Sequence, residues 1–297
     1  MSDVWRVTSD EKAAAGREAS SRHASRVTRH AFTLVEMLVV ISILGILAAL
    51  TVPALKNLGK SNAASSASRQ LLDGVARARQ LAIANRTTVY MVFVPTNFWN
   101  TPAETFNTAW WSGPPGLTLA QQTAATNLCD KQLSGYTFVS YGAVGDQPGQ
   151  HAWHYLEPWR SLPDGSFIAM QKFFVNYTIV DQVTGVKYAI APFNYANTIP
   201  FPTETAASGV WLPVIAFNYL GQLTTAQSTP APSTQDEYIP LARGSVYPAL
   251  DPSSKVLQFN SPSVSEIPPG NSTSSAYNIV DIDPLTGRAT LRFQQVQ

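Results

Sequence analysis

Apolar and polar positions divide this chain into stretches of different kinds. Up to Ala31 the residues are polar and mixed in charge, with no sustained apolar period, and read as a leader rather than a folded element. Phe32-Thr33-Leu34-Val35-Glu36 then opens an apolar run that lasts to Leu55. Within it, Met37 to Leu55 gives about 19 uncharged residues, or roughly 28 Å of helix at 1.5 Å per residue. That is about the thickness of a bilayer's hydrocarbon core. From Lys56 to Arg86 the pattern becomes amphipathic and rich in Ala, Leu, Arg and Gln, which are good helix formers. Leu71, Leu72, Val75, Ala78, Ala82 and Ile83 recur at helical spacing and predict one buried face, with Arg69, Arg77 and Arg79 mostly away from it. Pro53 need not end the helix, and a bend or local melting is expected within Gly59 to Ser68. One long helix follows, its first half for a membrane or filament core, its second half docked on an outer domain.

Beyond Arg86 the period changes from helix to strand. Thr87 to Val94 is rich in β-branched and aromatic residues and predicts the first strand. Tyr136–Tyr141, Phe167–Met170, Phe173–Asp181 and Lys187–Ala191 predict short strands, and Thr118–Leu133 a short helix. Tyr277 to Phe293 reads as a hairpin turning at Pro284-Leu285-Thr286-Gly287. Residues 95–116 read as loop, with four prolines among Trp99, Trp110 and Trp111. Ala226–Gln235 and Ser261–Ala276 are rich in Ser, Thr and Pro and predict exposed loops. The fold class is α+β: a long N-terminal helix packed on a C-terminal antiparallel β domain. Its segments are 1–31 (leader), 32–55 (membrane or filament-core helix), 56–86 (docked helix) and 87–297 (outer domain, with long loops near 95–135 and 226–275).

Charge adds direction to this plan. Charged residues are only 13% of the 297, and the net charge is +1. Six Lys/Arg and four acids precede Phe32, so the remainder holds fourteen basic and fifteen acidic residues. That balance argues against non-specific nucleic-acid binding, which needs Lys/Arg to neutralise phosphates. Arg17, Arg22, Arg26 and Arg29 stand on the N-terminal side of the apolar run and favour a cytoplasmic N-terminus. Everything after Lys56 then lies across the membrane. Cys129 is the one cysteine, so no internal disulfide or cysteine-held metal is available, and it reads as a small buried apolar residue.

Glu36 is the anomaly. An acid at the centre of a membrane helix costs about 2.5–3.5 kcal/mol on the insertion scale, and less near an end. A cut just before Phe32 would create an α-amino partner four residues away, within one helix or between neighbouring helices. Alternatively Glu36 marks the cytoplasmic edge and reaches to water.

The string Ala31-Phe32-Thr33-Leu34-Val35-Glu36-Met37-Leu38-Val39-Val40-Ile41, continuing through Gly45-Ile46-Leu47-Ala48-Ala49-Leu50 to Pro53, resembles the signal sequence of type IV prepilins and type II secretion pseudopilins. The resemblance implies that a prepilin peptidase cuts between Ala31 and Phe32 and N-methylates Phe32. It implies that Glu36 pairs with the new amino terminus during assembly, and that Gly45 and Pro53 loosen the helix. Ala31 stands where the family usually has Gly, and the leader is long for the family. Implied partners are the peptidase, other pilin or pseudopilin subunits, an inner-membrane assembly platform, and lipid before assembly. The implied location is a single inner-membrane pass, the outer domain extracytoplasmic, then a filament.

The join Ala78-Arg79, Ala82-Ile83-Ala84-Asn85-Arg86 and the following strand resembles H-type minor pseudopilins and FimT-type minor pilins. Trp159-Arg160-Ser161-Leu162-Pro163-Asp164-Gly165, Val214 to Leu223 with its Phe217-x-x-x-Gly221, and the closing Gly287-Arg288 are similar to turns of that subfamily. The large, Trp-rich plan resembles prepilin-like cassette proteins of the Verru_Chthon D type.

Catalytic and ligand signals are weak. His151, His154 and Glu157 would converge on a metal only if helical, whereas Ala152–Leu156 reads as strand or loop. Asp281-Ile282-Asp283 beside Gly287 lacks the remaining oxygen ligands of a calcium loop and reads better as a tight hairpin. There is no phosphate loop or nucleophile elbow. The expectation is a non-enzyme without cofactor or metal. Most of the seven Trp and eleven Tyr are read as packing. Two other functions fit parts of the sequence. A FimT-type DNA- or ligand-binding subunit would use Arg288 and Arg292 for DNA. An exported enzyme with an ordinary anchor, cut near Ala48-Ala49, leaves Glu36 unexplained.

Overall fold

The computed structural model describes residues 33–100, 106–142, 152–181, 184–225, 231–254, 256–273 and 278–293, with backbone alone for 48–62, 197–198 and 293. The chain divides into two units between Val52 and Pro53. Helix α1 runs Leu34–Asn85 without interruption through Pro53 and through 59–68, where a bend was expected.

In the first unit the described side chains beyond Glu36 are apolar save Ser42, and they are open to solvent all round the helix. Leu34, Val35, Leu38, Ile41, Leu44 and Ile46 are all more than half exposed. Such a surface belongs against other apolar groups. Among the described residues no helix is long and apolar enough to cross a membrane. The run predicted to span, 32–55, lies outside the described side chains at Phe32 and beyond Leu47.

The second unit carries the rest of α1 and the β structure. In chain order the strands are β1 Val89–Phe93, β2 Gly135–Tyr141, β3 Trp153–Tyr155, β4 Arg160–Ser161 and β5 Ser166–Ile168. Then come β6 Tyr177–Val180, β7 Lys187–Ile190, β8 Asn194–Pro200, β9 Gly209–Phe217 and β10 Leu223–Thr224. Finally there are β11 Glu237–Tyr247, β12 Ser263–Glu266, β13 Asn278–Ile282 and β14 Ala289–Phe293. All pairings are antiparallel. One sheet runs β10-β9-β1-β2-β3, with β8 on β9 and β4 on β2; a second runs β12-β11-β13-β14, with β5 on β11; β6 and β7 pair alone. The architecture is α+β.

On α1, Leu71, Val75, Ala78 and Ala82 are buried and Leu72 half-buried, as the spacing predicts, and the buried Ala64 and Ala67 extend that stripe into the range where a bend was expected. Ile83 is 42% exposed, contrary to the expectation. Eleven positions from Leu72, it lies on the same line of the helix, and that line is the rim of the buried stripe rather than its centre. The helix ends with Arg86 at φ 51° and Thr87 N–H donating to Ala82 O at 3.3 Å. This is a Schellman closure with Arg where glycine usually sits.

Strand β1 explains the core. Every one of its residues is buried. Val89, Met91 and Phe93 face the helix stripe together with Tyr136, Phe138, Ile239, Leu241, Val280 and Ile282. Tyr90, Val92 and Val94 face a second core with Trp99, Trp110, Leu128, Cys129, Phe201 and Leu212. A strand buried on both faces reads as a continuous apolar run, which is how Val89 to Val94 reads.

The ranges taken for long loops are built into these layers. Helices α2 Thr108–Trp111 and α3 Leu119–Asn127 lie within 95–135. Trp99 and Trp110, 1% and 2% exposed, help form the second core. Strands β11 and β12 lie within 226–275, and β11, at 11 residues, is the longest strand described. Phe167–Met170 and Phe173–Asp181 are broken by a 3₁₀ turn at Met170–Phe173.

Candidate functional site

The N-terminal segment starts helix α1 with a reciprocal cap. Thr33 is the N-cap, and its N–H and Oγ1–H both donate to Glu36 Oε2, at 2.8 and 2.9 Å. Glu36 N–H donates back to Thr33 Oγ1 at 3.2 Å. This is a capping box, satisfying two of the orphan donors that every helix start exposes. Its signature, Thr-x-x-Glu before an apolar run, is legible in 33–36 as a second role for the acid. The carboxylate therefore turns back along the chain, towards the residue that follows Phe32. Ala31 and Phe32, the predicted cut, lie outside the described residues. Gly45 is within the helix with open space where a Cβ would stand, and Pro53 is passed without a break in the helix.

In the second unit, three sequence marks meet at one place. Gly221 closes the turn between β9 and β10 at φ +79°, and Gly287 closes the β13–β14 hairpin at φ +62°. A Cβ on Gly287 would stand 2.0 Å from Gly221 O and 3.3 Å from Arg79 Cδ. One on Gly221 would stand 3.0 Å from Arg79 Cγ. Arg79 Nε donates to Thr286 O at 2.7 Å, and Leu223 N–H to Pro284 O at 2.9 Å. The two turns thus touch through backbone that only glycine can bring so close, and the Arg79 side chain joins the helix to both.

The other marked residues go to separate partners. His154 Nδ1 lies 3.1 Å from Glu204 Oε1. Glu157 lies 2.8 Å from both Arg77 Nε and Arg160. His154 and Glu157 therefore do not converge, and His151 lies outside the described residues. Asp283 accepts from Thr286 N–H and Oγ1–H at 2.7 and 2.8 Å, which holds its carboxyl below the usual range. Asp281 accepts from Arg292 Nε at 3.0 Å, while burial, its largest influence, pushes its carboxyl up. The two acids face different neighbours in a tight hairpin. Arg292 is thus engaged by Asp281, whereas Arg288 is exposed on the turn. Cys129 is buried and its Sγ–H points to Ala125 O at 3.7 Å; burial, then the Asp130 charge, pushes the thiol up to about 12.

Residues 26–52 match the family described as the prokaryotic N-terminal methylation motif. No curated protein and no solved structure matches the chain. The motif implies processing by prepilin peptidase and assembly with other pilin subunits. Through this N-terminal segment, with its capped and exposed apolar helix, the chain is a type IV pilin- or pseudopilin-like protein.

Proposed function

We propose that the chain is a non-catalytic, low-copy subunit of a type IV pilus or type II secretion-like filament. The observation that carries the reading is the methylation motif over 26–52, with one acid, Glu36, at the head of an apolar helix. The leader, residues 1–31, stays on the cytoplasmic side, and the apolar run of 32–55 holds the subunit in the inner membrane. Peptidase cuts between Ala31 and Phe32 and methylates Phe32. An assembly platform then passes the helix sideways into a bundle of like helices. There the apolar groups exchange lipid for one another, a step driven by close van der Waals packing rather than by removal from water, because lipid tails are as apolar as the side chains. Glu36 serves this step from its place in the cap. The Thr33 N–H it already accepts is adjacent to the amine that cleavage at Phe32 would free. The two charges attract more strongly once packing removes water from around them. A large outer domain would crowd a repeating shaft, which favours a minor position.

The test is N-terminal sequencing and intact mass of the protein from its native membrane, beside Glu36→Ala. The expected mature chain begins with N-methylated Phe32, and the variant is processed but left out of filaments. A chain that begins at Met1, or beyond Ala49, would sink the reading, and abundance as the main filament component would sink the low-copy part.

A further inference from the structure

We propose that the groove beside Trp211 in the outer domain binds a neutral carbohydrate chain. The groove encloses about 670 Å³, within the range of small-ligand sites. Trp211 and Phe174 line it and are 53% and 49% exposed. Three carboxamides, Asn97, Asn100 and Asn107, face the same space. Among the described residues, none that lines it carries a charge.

The exposure of Trp211 is built by the strand. Its neighbours Val210 and Leu212 are buried at 7% and 0%, so Trp211 falls on the outward side of β9. Opposite it, the pairing with β8 shifts register between Ala196 and Ile199. Bulges of this kind re-aim side chains and recur beside binding sites. The carboxamides stand on fixed backbone. Asn100 N–H donates to Asn97 O at 3.2 Å, and Asn107 N–H to Trp99 O at 2.9 Å. Asn107 Oδ1 accepts from Trp110 N–H at 3.0 Å, which fixes the orientation of that carboxamide. Behind them Phe98, Trp99 and Trp110 pack in the second core, giving the floor little freedom.

This lining selects among ligands. A phosphate or carboxylate would surrender its hydration and find no cation among the described lining residues. A nucleic-acid strand would find aromatic faces without the basic track that holds its backbone. A pyranose ring offers apolar C–H faces to Trp211 and Phe174, and hydroxyls that both donate to and accept from carboxamides.

The test is calorimetric titration of the full chain in a zwitterionic, sugar-free detergent. The probes are neutral hexasaccharides of β-1,4-linked glucose, N-acetylglucosamine and xylose, with a hexagalacturonate as the charged control. At least one neutral probe is expected to bind saturably and the uronate not. Trp211→Ala is expected to weaken binding by about tenfold or more, a loss of about 1.4 kcal/mol, while Trp211→Phe retains most of it. If Trp211→Ala does not fold by circular dichroism, Asn100→Asp, which adds a charge to the groove, is expected to weaken binding instead. No binding of any neutral probe, preference for the uronate, or undiminished binding in the folded Trp211→Ala chain would overturn the proposal. So would a dimer dissolved by Trp211→Ala, which would make a second copy the occupant.

Discussion

Lys172 and Glu237 offer the sharpest energetic test of the outer domain. Lys172 is fully buried, its Nζ 2.5 Å from Glu237 Oε1 and 2.5 Å from Ala191 O, with the Phe193 ring centroid 4.8 Å away. Glu237 keeps 19% of its side chain exposed. The pair ties the 3₁₀ turn at Met170–Phe173 to the start of β11. Removing one partner of such a pair costs about 3–5 kcal/mol, because the other is left charged and poorly solvated. Lys172→Met strands Glu237, whose partial exposure places the cost near the lower end, about 3 kcal/mol. Glu237→Leu strands a wholly buried ammonium and falls near the upper end, about 4–5 kcal/mol. The double variant Lys172→Met/Glu237→Leu is expected within about 2 kcal/mol of the parent, since a buried pair and a packed apolar pair are often close in energy. Urea unfolding followed by tryptophan fluorescence measures all four corners of the cycle. The pH dependence carries its own sign. Burial pushes the Glu237 carboxyl up and Lys172 pulls it down, so without Lys172 the upward push stands alone. The folded state then holds the proton more tightly than the unfolded one. The deficit of Lys172→Met is therefore small at acid pH and grows as pH rises above the ordinary carboxylate range. Single variants costing under about 1 kcal/mol, or a double variant whose loss equals the sum of the singles, would refute the reasoning.

Two further predictions follow from the same physics. Gly185 and Gly287 both have positive φ, +71° and +62°, but only Gly287 faces backbone at 2.0 Å. Gly185→Ala is expected to cost about 1 kcal/mol, and Gly287→Ala clearly more, with equal losses in thermal melts counting against the three-way contact at Arg79. Cys129, with its thiol pushed up to about 12, is expected to resist Ellman's reagent in the folded chain and to react fully in denaturant; rapid labelling of the native protein would place the thiol at the surface.

How much was legible varied with the range of the interaction. The buried stripe from Leu71 to Ala82, the doubly buried β1 and the closing hairpin all follow from spacing or turn chemistry within a dozen residues. Strand β11 was missed because Pro240 and Gly244 sit in its interior, where both residues usually argue against a strand. The fold uses each. Pro240 O accepts from Ala169 N–H at 2.9 Å, and at Gly244 a Cβ would overlap Ser265 O, on the neighbouring strand, at 1.9 Å. The Trp-rich stretch after Val94 read as loop because its prolines break every local period; its partners, Phe201 and Leu212, lie about a hundred residues away.

By itself the sequence determined the prepilin-type segment, its lone acid and the helix that follows, because cap, apolar run and helical period are all written in neighbouring residues. Only the tertiary structure decided that Arg79, Gly221 and Gly287 meet. It likewise decided that Trp99 and Trp110 turn inward while Trp211 turns out, and that Lys172 finds Glu237. Those outcomes depend on which distant surfaces exclude water together, and no local period carries that information.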